Sequence, residues 1–282
     1  MTIATFGLNT TNTVQQWEDV YLSQALPGTV SPGGNTRLYI SNPSGNQKKV
    51  VFRAPGIKTH FDAVGPVTIN SATVKWRRVN NVTAPSRNVE LRKLLVAFSE
   101  TQATWNSRLT ATAWGTAGAI GAGDVDATVL ATGSMPATGS PTYFDISGAG
   151  LTSWVAGIVD GSITDDFGFT ISLENPTTTG SGDFDLNSSN DTNGNRPYLE
   201  IDYTTIAYPT ASISDVTVNN LSGNAVLTVT LSSDALVGGV AGLINTNDIT
   251  AIAGIDYTAQ VNVAFSIAEG ESSGTITIPI LP

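Results

Sequence analysis

The sequence predicts an all-β protein in which a large sandwich domain is followed by a smaller one. Short runs of β-type residues alternate with clusters of Gly, Pro, Asn and Ser along the whole chain, and helical periodicity is nearly absent. Only 13% of the residues are charged, against about 25% in typical soluble domains, and Thr, Ser, Asn, Ala and Gly take their place. The length of 282 residues suits two domains.

Eight runs in the first part of the chain fit β-strands. They are 36–40, 49–53, 67–79, 89–99, 142–146, 167–174, 184–188 and 198–203. One segment, 151–159, fits a helix, and the pair Asp160-Gly161 that follows it is a typical helix-ending signal. The first domain is therefore predicted to consist of strands with a single helix.

A domain boundary is predicted between residues 207 and 208. One strand pattern ends there, Pro209 interrupts the chain, and a new alternating run covers 211–218. Three further runs, 225–231, 260–267 and 274–281, alternate apolar and polar residues, as strands do when one face is wet. The domains are thus expected at 1–207 and 208–282, and the second is expected to be a small immunoglobulin-like sandwich.

Charge and residue inventory exclude several classes of function. With a formal net charge of -10 and a pI near 4.4, the chain has no basic stripe to follow phosphates, so nucleic-acid binding is not expected. The absence of cysteine removes disulfides and thiolate chemistry. No stretch approaches about 18 uninterrupted apolar residues, and the N-terminus lacks the basic and apolar parts of a signal peptide. Neither a membrane span nor signal-dependent export is expected.

Catalysis is not predicted either. His60 is the only histidine and is expected in a loop or at a strand end, so a two-histidine zinc site is impossible and a triad would depend on this residue. A glycosidase needs only two carboxylates, and that alternative stays open for six of them: Glu90, Glu100, Asp165, Asp166, Glu174 and Asp183. Carboxylates at strand ends usually cap turns or face solvent, which favours a protein that is not an enzyme.

Short motifs in the first domain resemble the signature of the DNRLRE family. Glu100-Thr-Gln-Ala-Thr-Trp-Asn106 carries a TWN segment, Trp114-Gly-Thr-Ala-Gly118 a W-x-x-x-G segment, and Gly123-Asp124 an acidic residue. Asp19-Val-Tyr-Leu-Ser23 and Arg196-Pro-Tyr-Leu-Glu-Ile-Asp-Tyr203 extend the resemblance over residues 17–203. It implies a jelly-roll-like β-sandwich of secreted, cell-surface and some virion proteins. Certain relatives are carbohydrate-binding modules for uronic-acid polysaccharides, and no catalysis is implied.

The second domain resembles the Calx-β family. The matching segments are Ala211-Ser-Ile-Ser-Asp-Val-Thr-Val218, Ala251-Ile-Ala-Gly-Ile-Asp-Tyr257 and Gly270-Glu-Ser-Ser-Gly-Thr-Ile-Thr-Ile-Pro-Ile280. Family members hold calcium with a glutamate after the first strand and an acidic cluster after the last one. Asn219-Asn220 stands in the first place, and the sequence ends before the second. Only Asp256 carries over as a calcium ligand, and the sheet is expected to need a partner strand to close it.

A second calcium candidate is the segment 183–191, where oxygen-bearing side chains recur at alternate positions as at the start of an EF-hand loop. The sixth position is Ser188 and the twelfth is Gly194, where an EF-hand has a glycine and a bidentate glutamate. Alternation of Phe184 and Leu186 fits a strand, which we favour.

Basic and aromatic residues of the first half are the candidates for binding a glycan or a partner. Alternation is expected to place Lys75, Arg77 and Arg92 on one sheet face together with Arg53, where they are suited to an anionic polysaccharide or an acidic surface. The alternative is an ordinary solvated face. Trp17 and Trp76 are the candidate sugar platforms, since a pyranose ring stacks on an indole ring. For both residues we favour burial in the core.

Three functions follow as hypotheses. The first is a structural component of a virion, such as a capsid decoration or tail protein, which is homo-oligomeric, contacts other virion or surface proteins and binds host glycans weakly. The second is a carbohydrate-binding module of a secreted or cell-surface protein that recognises an anionic polysaccharide. A carboxylate-dependent enzyme is the third. We expect the first, at the surface of a virion or otherwise outside the cell.

Overall fold

A computed structural model describes residues 2–7, 17–30, 36–43, 45–79, 86–137, 142–174, 184–191 and 194–282 of the chain. Strands dominate these residues, and only two short helices accompany them. The prediction of an all-β sandwich protein is confirmed. The chain forms two compact units, Met1–Ile206 (unit 1) and Ala207–Pro282 (unit 2), which divide one residue before the boundary expected from Pro209. No helix in the described ranges is long and apolar enough to cross a membrane.

Unit 1 contains thirteen strands and two helices in its described parts. The strands are β1 (Thr2–Phe6), β2 (Glu18–Ser23), β3 (Arg37–Ile40), β4 (Lys48–Arg53), β5 (Val67–Arg77), β6 (Arg87–Lys93), β7 (Ser107–Leu109), β8 (Thr112–Ala113), β9 (Ala131–Met135), β10 (Tyr143–Ser147), β11 (Phe169–Leu173), β12 (Phe184–Asn187) and β13 (Tyr198–Thr205). The helices are α1 (Ile57–Val64) and α2 (Ala149–Asp160).

Nine of these strands form one antiparallel sheet in the order β1-β13-β5-β10-β9-β6-β11-β4-β2, and β12 pairs separately with β3. Alternation along each strand gives the large sheet an inner face and an outer face. On the inner face, Trp76, Phe52 and Ile146 are fully buried in the main core of unit 1. The ring centroids of Trp76 and Phe52 lie 5.0 Å apart, edge to face. Burial of these large side chains is what fixes the strand register.

Helix α2 confirms the helix predicted at 151–159. It begins at Ala149, ends at Asp160, and is followed by Gly161, whose φ of 83° is the left-handed conformation that glycine adopts readily. Leu151, Val155 and Ile158 are buried in the main core, as the helical period requires.

Helix α1 was not predicted, and the placement of His60 in a loop or at a strand end was wrong. The helix is only eight residues long, and just Ile57 and Phe61 are buried on its inner face. Two apolar positions four residues apart make too short a pattern to separate a helix from a loop. His60 makes edge-to-face contacts with the rings of Phe6 and Phe61, and burial lowers its pKa.

Residues 94–125 form a second layer on the outer face, next to β2 and β4. The strand predicted at 89–99 therefore ends earlier, at Lys93. Trp105 and Trp114 are buried against Val51 and other apolar residues of the outer face in a second core. Asp124 is 1% exposed and accepts hydrogen bonds from the backbone N–H groups of Gly115 and Thr116 at 2.7 and 2.8 Å. Trp105, Trp114 and Asp124 come from the three motifs quoted for the first domain, and together they hold the loop layer 94–125 in place.

Unit 2 contains five strands: β14 (Ala211–Ile213), β15 (Asn224–Leu231), β16 (Val240–Ile244), β17 (Val263–Ile267) and β18 (Ser273–Pro279). They form a three-stranded sheet, β14-β15-β18, and a two-stranded sheet, β16-β17. Val229, Ile267 and Ile276 belong to the small core that these sheets share. The predicted strand 211–218 stops at Ile213, and β16 was not predicted.

Candidate functional site

Lys75 lies near the middle of the large sheet, on its outer face, because its neighbour Trp76 points into the core. Its Nζ is 3.2 Å from Oδ1 of Asp145 on β10 and 3.6 Å from Oε1 of Glu200 on β13. Burial lowers the pKa of Lys75, but the hydrogen bond and charge of Asp145 and the charge of Glu200 outweigh this, so the pKa is raised. The ammonium group of Lys75 therefore stays protonated, and the carboxylates of Asp145 and Glu200 offset part of its positive charge.

Two tyrosines flank this lysine on the outer face. Tyr198 is the direct cross-strand partner of Lys75, and Tyr143 is that of Arg77. The tyrosine rings lie 5.5 Å apart, edge to face, and burial raises the pKa of both phenols. The hydroxyl of Tyr143 donates to the carbonyl oxygen of Arg196 at 2.9 Å. We call Lys75, Arg77, Tyr143 and Tyr198 the tyrosine patch; its four side chains are half-buried.

Arg92 lies on the same outer face as Lys75, since its neighbour Leu91 is in the core. The sequence suggested that the two residues lie on paired strands. In the structure their strands are not neighbours, because β10 and β9 lie between β5 and β6. By register Lys75 is level with Asn88 of β6, so three strand spacings and four residues along β6 separate it from Arg92, about 20 Å in all. Arg92 donates to Oε2 of Glu90 at 2.7 Å and to the carbonyl oxygen of Ala127. Its contacts belong to a different cluster from those of Lys75.

Lys49 of β4 completes the cluster around Arg92. Burial lowers the pKa of Lys49 to about 8, and the positive charge of Arg92 adds to the effect while Glu90 opposes it. The neighbouring positive charges of Lys49 and Arg92 repel a further cation and favour an anion. The outer face therefore carries two separate basic clusters, each with its own carboxylates.

Trp76 and Trp17 do not offer sugar platforms, which corrects their choice as candidates. Trp76 is fully buried, and its Nε1 donates to the carbonyl oxygen of Asn187 at 2.6 Å. Trp17 is 8% exposed and stacks on Phe52 with ring centroids 5.1 Å apart. Both indoles belong to the main core, where close packing of large rings outweighs any exposed role.

A buried carboxylate ties β2 to the segment that follows β12. Asp19 is 3% exposed and accepts hydrogen bonds from Nε1 of Trp17 at 3.1 Å, the hydroxyl of Ser188 at 2.7 Å and the N–H of Ser189 at 2.7 Å. Burial raises its pKa to about 6, although these hydrogen bonds act in the opposite direction. The sequence does not indicate that Asp19 is buried, because the burial of an aspartate depends on which loop covers it.

An acidic cleft of about 290 Å³ lies beside this network. It is lined by Glu18, Arg53, Phe98, Ser99, Glu100 and Thr101. Arg53, another predicted basic candidate, is on the outer face and donates from one nitrogen to both oxygens of Glu18 at 2.8 and 2.9 Å. Burial, with the negative charge of Asp19, raises the pKa of Glu100 to about 7. Burial thus favours the neutral form of Glu100.

Asp166 approaches the same cluster. Burial raises its pKa to about 6, while the charge of Arg53 lowers it and that of Glu18 raises it. Two carboxylates of the glycosidase alternative, Glu100 and Asp166, therefore share one neighbour, Glu18. Glu90 pairs with Arg92 instead, and Asp183 lies outside the described residues, as does part of the second calcium candidate.

Asp256 lies in a loop of unit 2, where its Oδ2 accepts the backbone N–H of Ile252 at 2.7 Å. Asp248 in the same loop accepts the hydroxyl of Tyr257 at 2.6 Å and the N–H of Ala253 at 2.9 Å. These bonds lower the pKa of Asp248 and organise the loop. Within the described ranges, no three Asp, Glu or His side chains are grouped so as to hold a metal ion.

The surface of unit 2 is apolar and acidic. Of the eighteen large hydrophobic side chains exposed in the described parts of the chain, thirteen belong to unit 2. Leu243, Val237 and Ile249 are 64%, 89% and 92% exposed. The last Lys or Arg of the sequence is Arg196, so unit 2 carries six carboxylates and no basic side chain. Apolar side chains exposed in this number favour a protein interaction site on unit 2.

A scan of protein-family models finds no match to this chain, and a search of curated proteins finds no similar sequence. The resemblances to the DNRLRE and Calx-β families therefore stay predictions from the sequence. Function has to be inferred from the clusters and surfaces of the two units.

Proposed function

We propose that this protein is a non-enzymatic structural component of a surface assembly, a virion decoration or tail protein above all. The observation that supports this is the apolar, cation-free surface of unit 2 attached to a well-packed β-sheet unit. Exposed apolar side chains are costly to keep in water unless a partner covers them. In this proposal, unit 2 makes the contact with the assembly.

Mass spectrometry of density-gradient fractions from the native source tests this proposal. Peptides of the chain should travel with particles at a fixed copy number per particle, and should stay with them through a high-salt wash because apolar contacts are not screened. Peptides found only in soluble or envelope fractions would contradict the proposal. They would favour the second function below.

The tyrosine patch supports weak binding of an anionic glycan as a second function. Tyr143 and Tyr198 present ring edges and hydroxyls beside the positive charges of Lys75 and Arg77. Aromatic rings and cations in this arrangement are suited to a uronic-acid sugar, whose carboxylate pairs with a cation and whose ring carbons contact an aromatic side chain. Asp145 and Glu200 reduce the net charge and keep the expected affinity low.

Titration with a uronic-acid oligosaccharide, followed by calorimetry or NMR, tests this second function. The unmodified chain should bind with a Kd of about 1 mM, the weak affinity of a small charged site. Tyr198→Ala and Lys75→Ala should each abolish this binding. Lys58→Ala is the matched control, because Lys58 lies on α1 and pairs only with Asp62 among the described ion pairs. Equal loss in all three variants, or no binding by the unmodified chain, would contradict a role for the patch.

A further inference from the structure

Strand β14 lies at the edge of the three-stranded sheet of unit 2, and one side of its backbone pairs with no strand of the described chain. On the other side, Ser232 N–H donates to the carbonyl oxygen of Thr210 at 2.9 Å and Ser214 N–H donates to that of Thr228 at 3.3 Å, so even-numbered residues bond to β15. Alternation turns the N–H and C=O groups of Ala211 and Ile213 the opposite way. No strand of the described chain pairs with β14 on that side.

The core of unit 2 is open along this edge. Ile213 pairs with Val229 and therefore points to the same, inner face of the sheet. Val229 is 5% exposed, whereas Ile213 is 55% exposed. The exposure continues beyond the strand, because every residue from 211 to 224 is exposed, Val216 and Val218 included. One more strand beside β14 would cover Ile213 and extend the core.

Little in the sequence protects this edge. Proteins normally guard a free edge with lysine, proline or a bulge, since such an edge recruits other strands. Residues 211–218 contain no proline and no lysine, and their only charged residue is Asp215. The edge is therefore ready to accept a strand, a mode of recognition in which main-chain hydrogen bonds supply affinity and alternate side chains supply specificity.

Charge indicates which strand fits. Unit 2 holds six carboxylates and no Lys or Arg, with Asp215 just beyond β14 and Asp234 just beyond its partner β15. Unit 2 of a second copy, placed edge to edge, would bring six more carboxylates and no cation of its own, which is unfavourable. A strand with alternate apolar side chains and Lys or Arg at its ends would instead pair with the acidic residues.

We propose that the free edge of β14 binds an extended, lysine- or arginine-bearing strand of a different protein. The proposal deepens the assembly function and depends on it, because the donor strand would belong to the neighbouring component of the assembly. Binding adds a fourth strand to the sheet β14-β15-β18, covers Ile213, and satisfies the outward-facing groups of Ala211 and Ile213.

NMR of the isotope-labelled full chain tests the proposal with two synthetic peptides. Both contain alternating Thr and Val; one has two lysines at each end and the other has two glutamates. The lysine-flanked peptide should shift amide signals of residues 210–218 and bind at least about tenfold more tightly at low salt, a difference that shrinks at high salt. Ile213→Pro should abolish binding without unfolding unit 2, since its N–H bonds to no described strand.

Two more variants separate charge from shape. Asp215→Lys should reverse the preference of the edge toward the glutamate-flanked peptide, and Leu243→Thr, which removes an exposed apolar side chain from the other sheet, should leave binding unchanged. Absence of shifts with either peptide, or equal affinities, would overturn the proposal. Concentration-dependent shifts of residues 210–218 without peptide would show that a second copy is the occupant. If particle co-migration holds while these results fail, the assembly function stands and only this docking mode is wrong.

Discussion

Units 1 and 2 are both antiparallel β-structures, but they differ in how completely they bury their apolar residues. In unit 1 a nine-stranded sheet has a main core on its inner face and a loop layer with its own core on part of its outer face. In unit 2 two small sheets share eight buried residues and leave thirteen large hydrophobic side chains exposed. A larger unit buries a greater share of its surface, which explains part of the difference.

Charge differs in the same direction. All thirteen Lys and Arg residues precede residue 197, and five of them form ion pairs with carboxylates in the described part of the chain, whereas unit 2 is purely acidic. In its described parts, unit 1 leaves five large hydrophobic side chains exposed and contains the described ion pairs. Unit 2 exposes thirteen such side chains and has no Lys or Arg to pair with its six carboxylates. Four measurements test this difference.

Trp76→Ala is expected to have the largest effect. It empties a fully buried site in the main core and leaves the carbonyl oxygen of Asn187 without its donor, so unit 1 should lose about 3–5 kcal/mol in its free energy of unfolding. Urea unfolding of the full chain, followed by tryptophan fluorescence, measures this selectively because all five tryptophans precede residue 207. Tyr208→Ala, at a 72% exposed aromatic, is the control and should change less than about 0.5 kcal/mol.

Asp19, Asp166 and Glu100 should make the stability of unit 1 depend on pH. Their folded-state pKa values are raised to about 6, 6 and 7, so the folded state holds these protons more tightly than the unfolded chain does. The contribution of these three groups to the free energy of unfolding is therefore largest below about pH 4 and falls as the pH rises through these values. For the fully buried Asp19 alone, the loss between pH 5 and pH 8 is about 1–2 kcal/mol.

Urea midpoints from tryptophan fluorescence at pH 5 and pH 8 measure this dependence. Glu100→Gln should reduce the difference between them, and an unchanged difference would contradict the assignment. Unit 2 should respond with the opposite sign. The lowered pKa of Asp248 stabilises the fold above the ordinary value of 3.8, and that contribution is lost on acidification.

Asp124→Asn should have a smaller, local effect. The substitution replaces one carboxylate oxygen, which accepts a backbone N–H of the buried loop layer, with the NH2 group of an amide, which cannot accept it. The cost should be about 1–3 kcal/mol, and limited proteolysis should cut within 94–125 faster than in the unmodified chain. Asp126→Asn, on an exposed turn carboxylate that accepts the N–H of Thr128, is the comparison variant and should leave cleavage nearly unchanged.

Leu243→Thr should have the smallest effect. The side chain is 64% exposed on β16, so its removal should change the free energy of unfolding by less than about 0.5 kcal/mol. Hydrogen exchange of the β16 and β17 amides, followed by mass spectrometry, is the measurement. A large increase in exchange would mean that unit 2 depends on this residue for its own stability, which would weaken the contrast between the units.

The sequence predicted local structure well wherever the pattern was long. Period-two alternation identified most strands of the large sheet, and the apolar spacing before Asp160-Gly161 identified α2. It missed β1, β2 and β9 of that sheet, α1, whose pattern is too short, and β16, which contains Gly242. The structure explains that glycine, because a Cβ atom there would lie 2.4 Å from Cε1 of Phe265. Close approach of another side chain, rather than a bend, requires it.

The all-β class, the place where the chain divides and the absence of basic residues from the second unit follow from the sequence alone, because composition and periodicity are properties of the chain. Which strands are neighbours follows only from the tertiary structure. That order separates Lys75 from Arg92, buries Trp76 and Trp17, places Glu18 and Glu100 in one cleft, and leaves Ile213 uncovered. Burial and proximity arise from contacts between residues far apart in the sequence, which alternation within a single strand cannot specify.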